Sequence, residues 1–133
     1  MGQPAAKQGD RIVGTDIHIV MVPAPAAPPV PTPLPHPFIG MINGGVSSDV
    51  NITGKPAAVV GSTADNTPAH IPTSPGTTFQ KPPANKATIQ RGSATVMING
   101  KPAARTGDTA LTCNDPFDLP SGTVLAVGTV MVG

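Results

Sequence analysis

The sequence contains no tryptophan, no tyrosine, only three phenylalanines and a single cysteine, Cys113. Each scarcity excludes something. Aromatic side chains normally carry a large share of core burial, so a core of Val, Ile, Ala and Met is thin for 133 residues. One cysteine rules out an intrachain disulfide. A small scaffold short of both needs another staple, which leaves a metal ion or a partner chain. Charge is scarce as well, at 11% of residues with a net charge of +1. Without a basic stripe, and without aromatic rings for bases to stack on, a nucleic-acid partner is not expected. The same low charge argues against a self-repelling, disordered chain. No apolar run is long enough to span a bilayer as a helix. The segment Met1-Gly2-Gln3-Pro4-Ala5-Ala6 lacks the apolar region of a signal peptide, and Ala6 stands where a myristoylation signal needs Ser or Thr. The expectation is a protein made in the cytoplasm, which leaves the cell only by a route that reads no N-terminal signal.

What is abundant is proline and glycine, 18 and 15 residues, and they recur in register. The phrase Gly2-Gln3-Pro4-Ala5-Ala6-Lys7-Gln8-Gly9-Asp10 returns as Gly54-Lys55-Pro56-Ala57-Ala58-Val59-Val60-Gly61-Ser62 and again as Gly100-Lys101-Pro102-Ala103-Ala104-Arg105-Thr106-Gly107-Asp108. A β-like run precedes the second copy (Ser48 to Thr53) and the third (Ala94 to Asn99), with the β-branched content and partial alternation of half-buried strands. The first copy lacks such a run, but Gly128 to Gly133 resembles it. The simplest geometry is a closed pseudo-three-fold object in which the C-terminus supplies the strand that the N-terminus lacks. With breakers this dense and no long amphipathic pattern, the expected fold is all-β: one domain over 1–133 of short strands and loops, stapled by a metal. Its repeats lie near 2–18 with the C-terminal strand 124–133, 44–70 and 90–113. In each phrase proline ends strand pairing and sets a turn, the later glycine (Gly9, Gly61, Gly107) takes a φ closed to other residues, and Asp10, Asp65 and Asp108 read as turn-forming or loop-capping groups.

The segment 23–37 is the irregularity. From Pro29 to Pro37 every second residue is proline, which predicts an extended, polyproline-like strap lying over the domain and argues against a central strand.

The three histidines and the cysteine form one constellation. His18 lies sixteen residues after Gly2 and His70 sixteen after Gly54, while Cys113 lies thirteen after Gly100 and His36 rides on the proline segment. Equivalent positions about a three-fold axis converge on it. Three imidazoles and a thiolate suit Zn(II) with four N/S ligands. Taken singly, each is more often a solvated histidine or a small buried thiol; symmetry turns the four toward a metal. A closed four-ligand site leaves no position for substrate, so one structural ion and no catalytic residue is the expectation. Two alternatives stay open: a zinc enzyme in which His36 does not ligate, and an adaptor whose proline segment binds a partner.

These residues resemble the PAAR family of spike-tip proteins, found on type VI secretion systems and related contractile injection machines. Pro102-Ala103-Ala104-Arg105 spells the motif, and Pro56-Ala57-Ala58-Val59 and Pro4-Ala5-Ala6-Lys7 are degenerate copies. The resemblance implies a cone-shaped structural protein, not an enzyme, that caps and sharpens a trimeric VgrG-like β-helical spike. It implies a zinc ion on His18, His36, His70 and Cys113, transient contact with a target membrane, and effector cargo as a further partner. It also implies assembly in the cytoplasm, followed by delivery outside the cell or into a target cell on the spike. The proline segment exceeds the family's minimal pattern, and the length leaves no room for an added toxin domain, so a bare tip is expected.

Overall fold

The repeated phrase builds the base of the molecule around a ring of backbone hydrogen bonds. In the computed structural model, which describes residues 2–133, the second alanine of each copy bonds to the next copy around a closed ring. The amide of Ala6 donates to Ala104 (2.9 Å), that of Ala104 to Ala58 (3.0 Å), and that of Ala58 back to Ala6 (3.0 Å). Antiparallel bridges Ala5↔Arg105, Lys7↔Ala57 and Val59↔Ala103 close the same triangle. Alanine is needed because three segments of the chain meet at the axis, where Ala6, Ala58 and Ala104 are wholly buried. The alanine pair also divides two cores. Ala5, Ala57 and Ala103 pack below it with Ile52, Ile98 and Val132, and the second alanines pack above it with Ile12, Phe38, Ile42, Ile89 and Val124.

The strands are β1 (Gln3–Pro4), β2 (Arg11–Ala24), β3 (Ala27–Gly44), β4 (Asn51–Ile52), β5 (Lys55–Pro56), β6 (Thr63–Asn66), β7 (Thr78–Phe79), β8 (Lys86–Ile89), β9 (Met97–Ile98), β10 (Lys101–Pro102), β11 (Thr109–Thr112), β12 (Leu119–Leu125) and β13 (Met131–Val132), with no helix among the described residues. Three two-stranded ribbons, β4–β5, β9–β10 and β13–β1, form the lower rim. The first two turn through Thr53-Gly54 and Asn99-Gly100, all at positive φ (49°, 85°, 53° and 77°), the geometry of a two-residue hairpin turn. In the third ribbon Val132 pairs with Gln3, so the chain's ends meet where the other ribbons turn.

Above the ring, each repeat contributes a hairpin: β2–β3, β6–β8 and β11–β12. They join in the order β2–β3–β6–β8–β11–β12, and β12 pairs back onto β2, closing an all-antiparallel barrel. Gly9, Gly61 and Gly107, at φ of 95°, 97° and 89°, make the corner from ring to barrel, where an L-residue would be strained. Asp10 and Asp108 cap that corner, their carboxylates accepting the amides of Lys7 (3.0 Å) and Arg105 (2.8 Å). The equivalent acceptor in the second repeat is the Ser62 hydroxyl, on the amide of Val59 (2.9 Å). Asp65 has no such role. It lies one turn further on in β6, where it accepts from Asn43 (3.0 Å).

The proline segment is corrected by the structure. It is no separate strap: residues 23–24 end β2, 25–26 turn, and 27–37 are the outer part of an 18-residue strand, β3, paired with β2 from Arg11↔Met41 to Val22↔Val30. Alternate proline spacing allows this. Even-numbered residues of β3 lie opposite even-numbered residues of β2, and the prolines lie opposite Thr15, Ile17, Ile19 and Met21. The backbones of Ile17, Ile19 and Met21 bond away from β3, to the segments beyond β11 and around β7. The carbonyls of Pro35 and Ile39 likewise face away from β2, toward Thr73 and Thr67. Each missing proline N–H therefore belongs to the outer edge, where β3 has no strand neighbour above Gly40, and proline on an edge costs the ladder nothing.

Candidate metal centre

Inward-facing residues of the long hairpin fill the barrel and then the site. Along β2 these are Ile12, Asp16, His18 and Val20; along β3, Ile42, Phe38 and His36, all buried. Asp16 lies directly opposite His36, so one ribbon delivers three polar side chains to one level.

The other two arrive on loops that dock to the ribbon's edges through side chains. After β11, the Asn114 side-chain oxygen accepts the amide of Ile17 (2.7 Å) and the Asp115 carboxylate accepts the amide of Ile19 (2.9 Å). These two contacts replace a strand and fix Cys113 beside β2. At the end of β6, the Asn66 side-chain oxygen accepts the amide of Ile39 (2.8 Å), and its amide nitrogen donates to His70 Nδ1 (3.2 Å). The backbone amide of His70 donates to Asn85 (2.8 Å).

The sequence-predicted residues His18, His70 and Cys113 are brought together with one that sequence reasoning missed, Asp16. Their donor atoms all lie within 4.8 Å of one another, a group that can hold a metal ion. His70 Nε2 lies 2.8 Å from Asp16 Oδ2. The Cys113 thiol donates to that same oxygen at 3.4 Å and lies 3.6 Å from His18 Nε2. The signal for Asp16 was present in the sequence: it stands two residues before His18, hence on the same face of a strand.

His36 reaches the cluster with its ring, not its nitrogens. Its ring centroid is 5.4 Å from that of His18 and 5.6 Å from that of His70. Nδ1 lies 2.9 Å from the Leu34 carbonyl, and Nε2 accepts the amide of Thr73 at 3.1 Å. Phe79 covers His18 and His36 from the β7 side, with centroids 5.8 and 5.3 Å away. A cleft of about 450 Å³, lined by His36, Asn66, His70 and Ile71 among others, gives the site an approach from solvent.

The electrostatics fit a cation. Burial pushes the His18 and His36 pKa values below the usual imidazole value. It pushes the Cys113 thiol up to about 11, with the neighbouring Asp16 adding to the rise. Asp16 Oδ1 and His18 Nδ1 are buried with no hydrogen-bond partner, a costly arrangement for an acceptor and an imidazole nitrogen. A divalent ion held by Asp16, His18, His70 and Cys113 would offset that cost, giving the bare oxygen and nitrogen a partner and favouring the thiolate over the thiol.

Among protein families, a model of the PAAR motif matches residues 1–116. The chain belongs to the PAAR motif family. No curated protein matches it. PAAR proteins are associated with the spike tips of secretion systems, and the matched span takes in the three alanine pairs, the long hairpin, His70 and Cys113. The PAAR phrase itself thus forms the ring at the base, while the candidate metal ligands lie on β2, β3 and the loops after β6 and β11. The proline is the last paired residue of each ribbon; the turn expected at it lies instead at the Thr53-Gly54 and Asn99-Gly100 pairs before it, and the two alanines supply the small side chains that let three repeats touch at one axis.

Proposed function

We propose that this PAAR protein is the rigid cap of a trimeric VgrG-like β-helical spike in a contractile injection machine, with one structural zinc ion near the apex and no catalytic role. The observation that carries the capping is the closed Ala6–Ala104–Ala58 ring. Three sequence-related segments of one chain present a three-fold base, which matches a trimer's symmetry one repeat per spike chain. Open strand ends on a β-helix need covering, and the three short ribbons of the base can extend them.

Zinc is supported by donor chemistry and spacing. Three imidazoles about a tetrahedral ion at about 2.0–2.1 Å place their centroids on the order of 5 Å apart, and here the three pairs are 5.0, 5.4 and 5.6 Å apart. His36 Nδ1 against the Leu34 carbonyl is the contact that ligating histidines make with their second nitrogen. Binding would exchange the Thr73 amide on Nε2 for the ion. On this reading His18, His36, His70 and Cys113 ligate, and Asp16 lies beside them as the neutralising carboxylate. A structural role is supported by Cys113, which is buried with its pKa raised, whereas nucleophilic thiols are exposed with lowered pKa values.

Two measurements test the reading. Co-expression with a trimeric spike protein should yield a complex of one cap per three spike chains by light scattering; a spike that never retains the cap would defeat the capping. Elemental analysis should find one zinc per chain, lost in Cys113→Ala and His36→Ala. Full zinc in His36→Ala together with none in Asp16→Asn would transfer the fourth position to the carboxylate.

A further inference from the structure

The three ribbons below the ring carry matched side chains on the face that packs into the lower core. Ile52 lies directly opposite Lys55, Ile98 opposite Lys101, and Val132 opposite Gln3. Directly opposed residues of an antiparallel pair put their side chains on the same face. Ile52, Ile98 and Val132 are buried with Ala5, Ala57 and Ala103 in the lower core. Lys55, Lys101 and Gln3 therefore leave from that same face, beside the apolar group, and all three are exposed. The underside has an apolar centre and a polar rim, the layout of a protein interface. Its rim is three-fold in position but Lys, Lys and Gln in chemistry.

The charge on this rim has no counterpart within the chain. Lys7 and Arg105, further along the same phrases, are paired at the corners with Asp10 and Asp108, each at 3.2 Å. Among the described residues, Lys55 and Lys101 take part in no ion pair. The ribbons and the loops leading into them (residues 2–4, 45–56, 91–102 and 126–133) hold one carboxylate side chain, Asp49, against Lys55, Arg91 and Lys101. Asp49 accepts the Asn99 side chain at 2.7 Å. It lines a shallow cleft of about 290 Å³ together with Lys101, without closing to ion-pair distance.

We propose that the underside recognises a ring of three carboxylates, one Asp or Glu side chain from each chain of a homotrimeric partner. The inference rests on the capping reading and specifies the chemistry of the surface that is capped. A homotrimer offers the same group three times, whereas the cap offers two ammonium groups and one carboxamide at the matching places. The partner's group must suit both. An ammonium group only donates, which excludes Lys and Arg on the partner. A carboxylate accepts a charge-assisted bond from Lys55 and from Lys101, and an N–H bond from the Gln3 side chain. Neutral acceptors, such as the carbonyls of open strand ends, would satisfy the bonds but leave two cations without counter-charge where water is excluded, which is costly.

The test is the binding kinetics of the full chain on the immobilised trimeric spike protein used for co-expression. Between about 50 and 300 mM salt the association rate should fall about tenfold, with a smaller change in dissociation. Lys55→Met/Lys101→Met keeps the apolar stems and removes the charge. It should bind about tenfold more slowly than the parent chain at low salt and lose the salt dependence. Gln3→Lys completes the set and should raise the low-salt association rate about threefold. Lys81→Met, on the loop after β7, should match the parent. Rates indifferent both to salt and to the double substitution would overturn the proposal and assign the rim to neutral carbonyls. Slower association of Gln3→Lys would overturn it as well, since the third place would then face no carboxylate. A parent chain that never binds the spike defeats the capping itself, whereas a chain that binds with its lysines silent defeats only the ring of carboxylates.

Discussion

The base and the upper half of this molecule are built on opposite terms. At the base, three copies of one phrase make equivalent contacts: three alanine bonds of 2.9 to 3.0 Å, and three corner glycines with φ between 89° and 97°. Above the barrel that equivalence is gone. One repeat sends out a long hairpin, another the His70 loop with β7, and the third the short loop that carries Cys113. The lower part is held by backbone hydrogen bonds and small apolar side chains, the upper part by side-chain bonds to the hairpin's edges and by a cluster of metal donors. A three-fold surface requires equal repeats, whereas a single point on the axis can be made only by unequal ones.

Metal removal should break this comparison most severely. The upper loops have few large apolar side chains, and a structural zinc site contributes on the order of 10 kcal/mol in small domains. A chelator, or Cys113→Ala, should lower the melting temperature by more than about 10 °C. Hydrogen exchange should show where the loss falls: amides of Ile17, Ile19 and His70 lose protection first, while those of Ala6, Ala58 and Ala104 keep theirs. Equal loss at both ends would mean that the molecule is one cooperative unit without the contrast drawn here.

The converse change is Ala104→Val. The axis is fully packed, and added methyl groups in such a place cost about 1–3 kcal/mol. Ala6→Val and Ala58→Val should cost similar amounts if the three repeats are energetically equivalent. Urea unfolding of the three variants measures that directly, and a spread above about 1 kcal/mol would show that the symmetry is only geometric.

How much of this was legible in the sequence follows from the same contrast. The base could be read because its contacts require particular residues at particular steps: glycine at the positive-φ corners, alanine on the axis, proline as the last residue of each ribbon. His18, His70 and Cys113 could be read as a group because they sit at related distances from those phrases. Asn66, Asn114 and Asp115 could not be read so easily, because they bond to strand edges whose position depends on the finished barrel. The proline run was misread for a physical reason. Proline forbids a ladder on one edge only, and alternate spacing places every missing donor on that edge, so a chain that looks unpairable pairs along its length.

The pH dependence of the metal-stripped protein should sharpen the assignment of stability to the upper half. His18 and His36 have pKa values lowered by burial, so the unfolded chain takes up protons that the folded chain refuses. Stability is then full above the unfolded value of 6.5 and declines as pH falls through the lower folded values. For Cys113, raised from 9.0 to about 11, the contribution is full below 9.0 and is lost as pH rises toward 11. Denaturation midpoints across pH should give a plateau between these limits, and Cys113→Ala should remove the alkaline decline while leaving the acid one. An alkaline decline that survives in Cys113→Ala would place its origin elsewhere.

The smallest effect tests how equal the repeats of the base really are. Thr53 and Asn99 occupy the same place in their turns, at φ of 49° and 53°. Asparagine tolerates that region and β-branched threonine does not. Thr53→Asn should therefore raise stability, by about 0.5–1 kcal/mol. The reverse change, Asn99→Thr, should cost more than that gain, because Asn99 has acquired a second task. Its side-chain nitrogen donates to Asp49 at 2.7 Å and its oxygen accepts the Ser47 hydroxyl, which ties the third repeat's turn to the loop ahead of the second. Chemical denaturation of the two single variants reads the difference. Equal and opposite values would mean that the bonds of Asn99 to Ser47 and Asp49 contribute nothing, and that turn conformation alone distinguishes the two repeats.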